Sequence, residues 1–433
     1  MAQTMLQKRG LKVDLPVLNE GEIGLCTDEN EVFIGNNGNV MFATAHETTQ
    51  TYYIPSDFAD LQTAINALSI IKNKQATKIE LVFEYDHAIT TPLILEDGDY
   101  SNFIIKSVGS VVAIASSFVG DLFTFNNCRA PIIDVLVNGG AIVGNGIILN
   151  YCGTLKVNPG KGVTHCMYNN LRVDSSIAYV KNSVFTYGSQ AGDSANGWSG
   201  ILSWGGRIFA QGADASFSKT YGIQAAHGGI VSFRDGIANN CGRYNIRATN
   251  LGILDARYAQ ASGTARFGVY AFGASKINAR EALIDNCTEF GVIAIGASIV
   301  DCRAAQINGN EVGVLSSAGS TVNVGSAHVN NSTFRGLHAE RTGTIDAWYC
   351  EVLNTGTTLS HHGVFCENVS TISVSNATVK GSGGDDLRID TGGVIGARNC
   401  TTTNGIGSPN INDTDADMGS FNSLVGSRGI IWT

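Results

Sequence analysis

Acidic side chains recur in the second half of this 433-residue chain at spacings that could bring carboxylates together. The first set is Asp255, Asp301 and Asp346, and the second set is Glu340 and Glu367. Two carboxylates can act as acid and base, or as acid and nucleophile, in glycoside hydrolysis. They can also bind a cation or form a solvated acidic edge. We predict the catalytic role for both sets, with no bound metal or cofactor.

Basic and aromatic side chains follow the first acidic set, two residues further along each repeat: Arg257, Arg280, Arg303 and Trp348. A guanidinium binds a carboxylate through two parallel hydrogen bonds, and an indole can stack on a sugar ring. These residues therefore predict a groove that binds an acidic sugar chain, and Tyr270 is expected to add a further substrate contact. The alternative is a salt-bridge ladder on the surface that only holds the register of the strands.

The two acidic sets predict different roles in catalysis. An Asp between two arginines favours its charged form, which suits a base or a nucleophile. Glu340 and Glu367 crowd one another, which raises a carboxyl pKa and suits a general acid. The two sets fall on different strands of one repeat, so a single groove holds both only if the corner between the strands is tight.

These spacings come from an internal repeat. The segment FGVYAFGASKINAREALIDNCTE, which starts at Phe267, is followed directly by FGVIAIGASIVDCRAAQINGNE. Equivalent positions lie 22 to 27 residues apart at Tyr221, Tyr244, Phe267, Phe290, Val312, Arg335, His362 and Asp385. Apolar residues alternate at period 2 within each repeat, which indicates three short strands per coil. The sequence thus predicts an all-β fold, a right-handed single-stranded parallel β-helix over residues 75–405.

Different patterns stand at the two ends of the repeat array. Residues 51–74 predict a linker and a capping helix, since the apolar residues Phe58, Leu61, Ile65, Leu68 and Ile71 share one helical face and Ser56 suits the N-cap. Residues 1–50 alternate short apolar runs with polar turns, which predicts a small separate β module. Residues 406–433 form a short C-terminal tail.

Composition excludes several classes of protein. A net charge of −9 argues against a general nucleic-acid binder, and no apolar run is long enough to span a membrane. The N-terminus MAQTMLQKRG lacks the apolar core of a secretory signal, which predicts synthesis in a cytoplasm without export by that route. The ten cysteines show no metal-ligand spacing, so buried free thiols are expected.

The N-terminal module resembles the virion-attachment domain of phage tail fibres and tailspikes. The resemblance rests on Arg9-Gly10, the run Gly21-Glu22-Ile23-Gly24, Thr27-Asp28 and the apolar strand Val32–Gly35. The segment YYIPSDFADLQTAINAL is similar to the start of pectate-lyase-like tailspike β-helices. The resemblance implies a homotrimer on the phage tail, joined through residues 1–50 to another tail or baseplate protein.

The same resemblance implies a function. Tailspikes of this kind recognise a host capsular polysaccharide or O-antigen and often cleave it, and here we expect an endoglycosidase rather than a lyase. The alternative is a non-enzymatic receptor-binding or structural spike, which the short loops favour. Outward apolar residues predict the subunit interface: Tyr270, Ile293, Leu315 and Phe365 on one strand, and Ile237 and Leu283 on another.

Overall fold

The computed structural model describes residues 49–69, 77–191, 198–263, 266–358 and 360–402, and the strand backbone of 7–10, 23–26, 31–35, 39–44 and 429–432. The repeats form parallel strands that pair with the equivalent strands of the coils before and after them. The prediction of an all-β parallel β-helix is confirmed. Each complete coil runs in order through three faces, which we call face 2, face 1 and face 3.

Face 1 is a parallel sheet of 16 strands. They are Thr49–Ile54, Lys78–Phe83, Phe103–Ser107, Ile132–Asp134, Leu155–Val157, Ile177–Tyr179, Arg207–Phe209, Ile230–Ser232, Ile253–Asp255, Lys276–Asn278, Ile299–Asp301, Thr321–Asn323, Thr344–Asp346, Thr371–Ser373, Gly393–Gly396 and Gly429–Trp432.

Face 2 is a parallel sheet of 13 strands. They are Leu93–Glu96, Phe123–Asn126, Ile147–Asn150, Leu171–Asp174, Ser199–Trp204, Tyr221–Ala226, Tyr244–Thr249, Phe267–Phe272, Phe290–Ile295, Val312–Ser317, Arg335–Glu340, His362–Cys366 and Leu387–Ile389.

Face 3 consists of two shorter parallel sheets, connected through a run of isolated bridges from Gly162 to Leu283. The first contains Ala88–Ile89, Val112–Ile114, Leu136–Asn138 and Gly162–Thr164. The second contains Leu283–Asp285, Gln306–Asn308, His328–Asn330, Glu351–Leu353, Thr378–Lys380 and Thr401–Thr402.

The core lies inside the coils and is built from the apolar positions of the period-2 pattern. Val269, Ile277 and Ile284 represent the three faces in one repeat, and none is more than 2% exposed. Each coil buries its apolar face only by stacking on its neighbours, which explains why the repeat recurs with so little change. Eight of the nine described cysteines are buried and none forms a disulfide, so the free-thiol prediction is confirmed for them.

The capping helix runs from Leu61 to Leu68, and its buried residues join the core of the first coils. Its N-cap is Asp60, whose side chain accepts a hydrogen bond from the Thr63 amide. The predicted N-cap, Ser56, is therefore wrong, and its hydroxyl instead donates to Glu84. The segment from Ser56 to Asp60 stays outside the helix. Ile71 lies outside the described residues.

The first and last strands of face 1 come from outside the predicted repeat array. Thr49–Ile54 pairs in parallel with Lys78–Phe83, and Gly429–Trp432 pairs in parallel with Gly393–Gly396. The first strand of face 1 therefore crosses the predicted limit between the N-terminal module and the linker, and the last strand lies within the predicted tail. The domain limits at residues 50, 74 and 405 stay predictions.

The described part of the N-terminal module consists of the strands Gln7–Gly10, Ile23–Cys26, Glu31–Gly35 and Asn39–Thr44. The first two pair in parallel, and the others follow as antiparallel neighbours. Across the described residues, no helix is long and apolar enough to cross a membrane.

Candidate active site

The outer side of face 2 carries two rows of side chains that the strand register defines. We call Arg172, Leu202, Gln224, Arg247, Tyr270, Ile293, Leu315, His338, Phe365 and Arg388 the central row. We call Trp204, Ala226, Thr249, Phe272, Ile295, Ser317 and Glu340 the edge row. The pairing of Ala339 with Cys366 places Glu367 beside Glu340 as its next member.

Glu340 and Glu367 form a close carboxylate pair. Each side chain is 22% exposed. One oxygen of each lies within 4.8 Å of the other and of a ring nitrogen of His338. The Ser317 hydroxyl donates to Glu340 Oε1 over 2.9 Å, and Arg341 Nε lies 3.9 Å from the same oxygen. The predicted proximity of this second acidic set is therefore present in the structure.

His338 forms a hydrogen bond with Glu367, and Arg335 lies close to both residues. His338 Nε2 lies 3.0 Å from Glu367 Oε1, and Arg335 Nη1 lies 3.1 Å from His338 Nδ1. Arg335 Nη1 is also 2.9 Å from Nε2, so it contacts both ring nitrogens, and a neutral ring protonated at Nε2 donates to Glu367. Arg335 is itself held over the Phe365 ring, with the guanidinium carbon 3.9 Å from the ring centroid.

Burial shifts the pKa values of His338 and Glu367 in opposite directions. Burial, assisted by Arg335, lowers the pKa of His338 to about 3, so the ring is neutral at ordinary pH. Burial raises the pKa of Glu367, and Glu340 and Asp390 act in the same direction, whereas Arg335 lowers it. A raised carboxyl pKa beside a second carboxylate is the arrangement that a general acid requires.

The same side chains also satisfy the geometry of a small metal site. His338, Glu340 and Glu367 each offer one ligand atom within 4.8 Å of the others. Against this, Arg335 Nη1 lies 2.9 Å from His338 Nε2 and 3.8 Å from Glu367 Oε1. A guanidinium this close repels a cation, so the donor set fits a bound metal poorly.

The first acidic set lies on the outer side of face 1, in the register that the sequence predicts. Asp255 receives two hydrogen bonds from Arg257, at 2.9 and 2.7 Å. Asp301 receives two from Arg303, at 3.0 and 2.8 Å, and a third from Arg280 at 2.7 Å. Both carboxylates therefore have close arginine partners, as expected for the salt-bridge ladder.

Asp346 differs from the other two aspartates because it faces Trp348 instead of an arginine. Burial raises the pKa of Asp346, and hydrogen bonds from Trp348 oppose that shift. Trp348 is 41% exposed and packs edge-on against Tyr349. Trp348 is thus accessible to a ligand on face 1.

The charged groups that act on Glu367 come from face 2 and its corner, namely Arg335, Glu340, Asp390 and Arg341.

Tyr270 lies on face 2, away from the arginines of face 1 with which the sequence groups it. Its ring centroid is 4.7 Å from that of Tyr244, and the Arg247 guanidinium carbon is 5.9 Å from it. The structure thus places Tyr270 in the same central row as His338 and does not place it beside Arg257, Arg280 or Arg303.

The prediction that apolar side chains on face 2 are exposed and so form a subunit interface is wrong for three of its four residues there. Ile293, Leu315 and Phe365 are only 4 to 6% exposed within a single chain. Ile293 and Leu315 pack sideways against apolar residues of the same outer surface, such as Phe267 and Val312. Phe365 is covered by Arg335 and by the rings of His338 and His362. Leu283, on face 3, remains exposed, and Ile237 and Tyr270 are partly buried.

Comparisons with known proteins identify the N-terminal module. Residues 7–36 match the family described as Major tropism determinant N-terminal domain. The matched segment contains the Arg9-Gly10 and Gly21–Gly24 motif. The chain therefore combines a phage tropism determinant domain with a parallel β-helix, which is the architecture of a β-helical phage tail fibre or tailspike, as the resemblance implies. This architecture fits a component of the virion tail with a role in binding a host receptor.

The remaining comparisons support no conclusion about fold or function. No curated protein matches the chain significantly. The periplasmic alginate epimerase AlgG is similar at 8% identity and a TM-score of 0.40, over 82% of this chain and 84% of that one. A mutant of that epimerase gives 10% identity and a TM-score of 0.40 over the same shares.

Proposed function

We propose that this protein is a tailspike subunit that binds a host-surface polysaccharide along the outer side of face 2 and hydrolyses it at the Glu340–Glu367 pair. Residues 1–50 attach the spike to another protein of the phage tail or baseplate. The match of residues 7–36 to the tropism determinant domain supports attachment to the virion. The proposed ligand is a capsular polysaccharide or O-antigen.

The carboxylate pair carries the catalytic part of the proposal. One carboxylate oxygen of Glu340 and one of Glu367, on adjacent coils, lie within 4.8 Å of each other. Retaining glycosidases hold their two carboxyl groups about 5–5.5 Å apart, whereas inverting enzymes need about 6.5–9.5 Å to admit a water molecule. The separation therefore favours a covalent intermediate and retention of configuration.

The surroundings of the two residues assign their roles. Glu367 has the raised pKa and is held by neutral His338, so it protonates the glycosidic oxygen. Glu340, which contacts Ser317 and Arg341, attacks the anomeric carbon. After the leaving sugar departs, Glu367 takes a proton from the water that releases the glycosyl group.

The first experiment measures the products formed from purified host polysaccharide. Hydrolysis produces new reducing ends without an ultraviolet-absorbing unsaturated sugar, whereas β-elimination from a uronate produces both. We expect reducing ends alone, with loss of the reaction in Glu340→Gln and Glu367→Gln. Glu351→Gln is the matched control, because Glu351 lies on face 3 and His328 is the hydrogen-bond partner described for its carboxylate.

The second candidate is a spike that binds polysaccharide without cleaving it. The paired state of Asp255 and Asp301 favours this alternative for face 1, where the arginines hold the register and Trp348 is exposed. Binding of the protein to intact surface polysaccharide from a susceptible host, without the formation of new reducing ends, would establish this alternative.

We also propose a homotrimer, on the basis of the tailspike resemblance. Light scattering should give three times the 45.6 kDa mass of the chain. A stable monomer at micromolar concentration would contradict this assembly.

A further inference from the structure

Two buried cysteines lie in contact at the corner where face 2 leads into face 1. The sulfur atoms of Cys128 and Cys152 are 3.8 Å apart, although the residues are 24 positions apart in the chain. Cys128 is 5% exposed and Cys152 is 4% exposed. Neither thiol belongs to the proposed catalytic site, so the pair is a separate group of reactive side chains.

The strand register places the two cysteines at the same position of consecutive coils. Asn126 pairs with Asn150 on face 2, and each cysteine follows two residues later. Beyond the cysteines, the Gly153 amide donates to the Cys128 carbonyl oxygen over 3.1 Å, so the coils remain paired around the corner. Adjacent strands lie about 4.7–4.9 Å apart, and a disulfide requires Cα atoms about 4.4–6.8 Å apart. The backbone spacing therefore suits a disulfide bond.

Only small side-chain movements are needed to form that bond. A disulfide bond is about 2.05 Å long, so the two sulfur atoms must approach by about 1.8 Å. Cys152 Sγ lies 3.0 Å from the Phe125 carbonyl oxygen, and Cys128 Sγ lies 3.8 Å from the Leu95 carbonyl oxygen. A thiol is a weak hydrogen-bond donor, so the loss of these contacts opposes the movement little.

A shallow opening in the surface leads to the pair. Its volume is about 270 Å³, and its lining includes Cys128, Asn127, Arg129 and Tyr151. Tyr151 is 74% exposed, and the Arg129 side chain is 68% exposed. Exposed side chains exchange rotamers within nanoseconds, so these two do not block the opening permanently. A small molecule can therefore approach Cys128 from solvent.

Contact between the thiols also favours the reactive form of one of them. The hydrogen bond from the Cys128 thiol lowers the pKa of Cys152, although burial opposes that shift. Burial instead raises the pKa of Cys166, which lies outside the pair. The thiolate is the form that attacks a disulfide. The pair therefore forms a nucleophile more readily than a buried thiol such as Cys166.

We propose that Cys128 and Cys152 are an oxidation site, which a small aliphatic disulfide converts into a disulfide bond between two coils. The thiolate of the pair attacks one sulfur of the small disulfide, which forms a mixed disulfide with the protein and releases one small thiol. The second cysteine then loses its proton and attacks the protein sulfur of the mixed disulfide, which releases the other small thiol. The two cysteines thus lose two electrons and two protons, and the small disulfide gains them.

The bond would connect consecutive coils in the N-terminal part of the β-helix. It closes a loop over residues 128–152 and so restricts the unfolded chain, which favours the folded state. Disulfides persist outside cells, whereas the cytoplasm keeps thiols reduced. A spike that leaves its host with free thiols would therefore gain this cross-link afterwards. The site does not depend on the proposed catalysis.

The test treats the folded full-length protein with hydroxyethyl disulfide, blocks the remaining thiols with N-ethylmaleimide in denaturant and digests the chain with trypsin. Cleavage after Lys106, Arg129 and Lys156 separates the two cysteines into peptides 107–129 and 130–156. We expect mass spectrometry to find these two peptides joined by a disulfide in most of the protein. The midpoint of thermal unfolding should rise after treatment and return to its first value after reduction.

Cys128→Ser and Cys152→Ser should each abolish the joined peptides. Cys166→Ser is the matched control, because Cys166 is a buried free thiol outside the pair, and it should leave the joined peptides unchanged. Thermal unfolding of each variant verifies that it folds. A folded wild-type protein that gives no joined peptides, or that stops at a mixed disulfide on one cysteine, would overturn the proposal. Joined peptides that form only in urea would also overturn it, because the fold would then not bring the thiols together.

Discussion

His338 Nε2 lies 3.0 Å from Glu367 Oε1, although the two residues belong to different coils and are 29 positions apart in the chain. The ring is buried and neutral, whereas the carboxyl group keeps access to solvent. The pair thus joins a fixed hydrogen-bond donor to a carboxyl group whose pKa is raised. This relationship distinguishes Glu367 from Asp255 and Asp301 on face 1, which pair directly with arginines.

Cleavage should slow as the pH rises through the pKa of Glu367. The protonated form of Glu367 supplies the proton to the leaving group, and burial extends that form to higher pH than for an ordinary glutamate. The measurement is kcat/KM against pH on one polysaccharide. A descending limb within the ordinary glutamate range would contradict the role of Glu367 as the acid.

Stability should fall as the medium becomes acidic. The pKa of His338 is about 3 in the folded chain against an ordinary value of 6.5, so the unfolded chain binds the proton first. The contribution of His338 to the free energy of unfolding is complete above pH 6.5 and declines toward pH 3, by up to about 1.4 kcal/mol per pH unit. His362, with a pKa of about 4, acts in the same direction.

His338→Gln should therefore reduce the pH dependence of the unfolding midpoint between pH 6.5 and 4. His328→Gln is the control, because that ring is 45% exposed. Glu367 contributes the opposite slope, since its raised pKa favours the folded chain as the pH falls, so Glu367→Gln should steepen the loss of stability. An identical slope in wild type and His338→Gln would show that His338 is not the buried neutral group described here.

A corner between face 3 and face 2 alternates asparagine and glycine in the left-handed backbone region. Asn286 has φ 59° and Gly309, one coil later, has φ 66°. A Cβ atom on Gly309 would lie 2.6 Å from Asn286 Oδ1, whereas a Cβ atom on Gly160, at φ 71°, meets nothing within 4 Å. The Asn side chain thus fills the space that the following glycine leaves open.

Gly309→Ala should destabilise the fold by more than Gly160→Ala. Both substitutions incur the backbone cost of about 1–2 kcal/mol for a left-handed alanine, and only Gly309→Ala must also displace the Asn286 side chain. Urea unfolding of the two variants measures the difference, and Asn286→Gly in the Gly309→Ala background should recover part of it. Equal losses at the two positions would mean that the Asn side chain does not determine the choice of glycine.

The fold could be predicted because the interior and the corners of a coil each require particular residue types at a fixed spacing. Val269 and Ile277 occupy the interior as their period-2 pattern predicts, and Asn286 adopts the left-handed backbone expected of a corner. The start of the helix was missed because Ser56 and Asp60 are both suitable N-caps. Only the tertiary contact between Ser56 and Glu84 decides between them.

The site was harder to predict because it depends on side-chain packing across coils. The sequence indicates that Glu340 and Glu367 are neighbours, but not that a buried His338 and a half-buried Arg335 lie beside Glu367. It also predicts that Ile293 and Leu315 are exposed, since outward positions of a strand normally are. Sideways packing along face 2 covers them instead.

The most direct test of the account compares the rates at which four variants form reducing ends from the host polysaccharide: Glu340→Gln, Glu367→Gln, Asp301→Asn and Glu351→Gln. The face 2 pair predicts a loss of more than about a hundredfold in the first two, as expected for removing an acid or a nucleophile. Asp301→Asn should remain active and lose at most about 1 kcal/mol of stability, as for a surface salt bridge. Glu351→Gln should match wild type. Full activity in Glu340→Gln and Glu367→Gln, with loss of activity in Asp301→Asn, would contradict the account and place the chemistry on face 1.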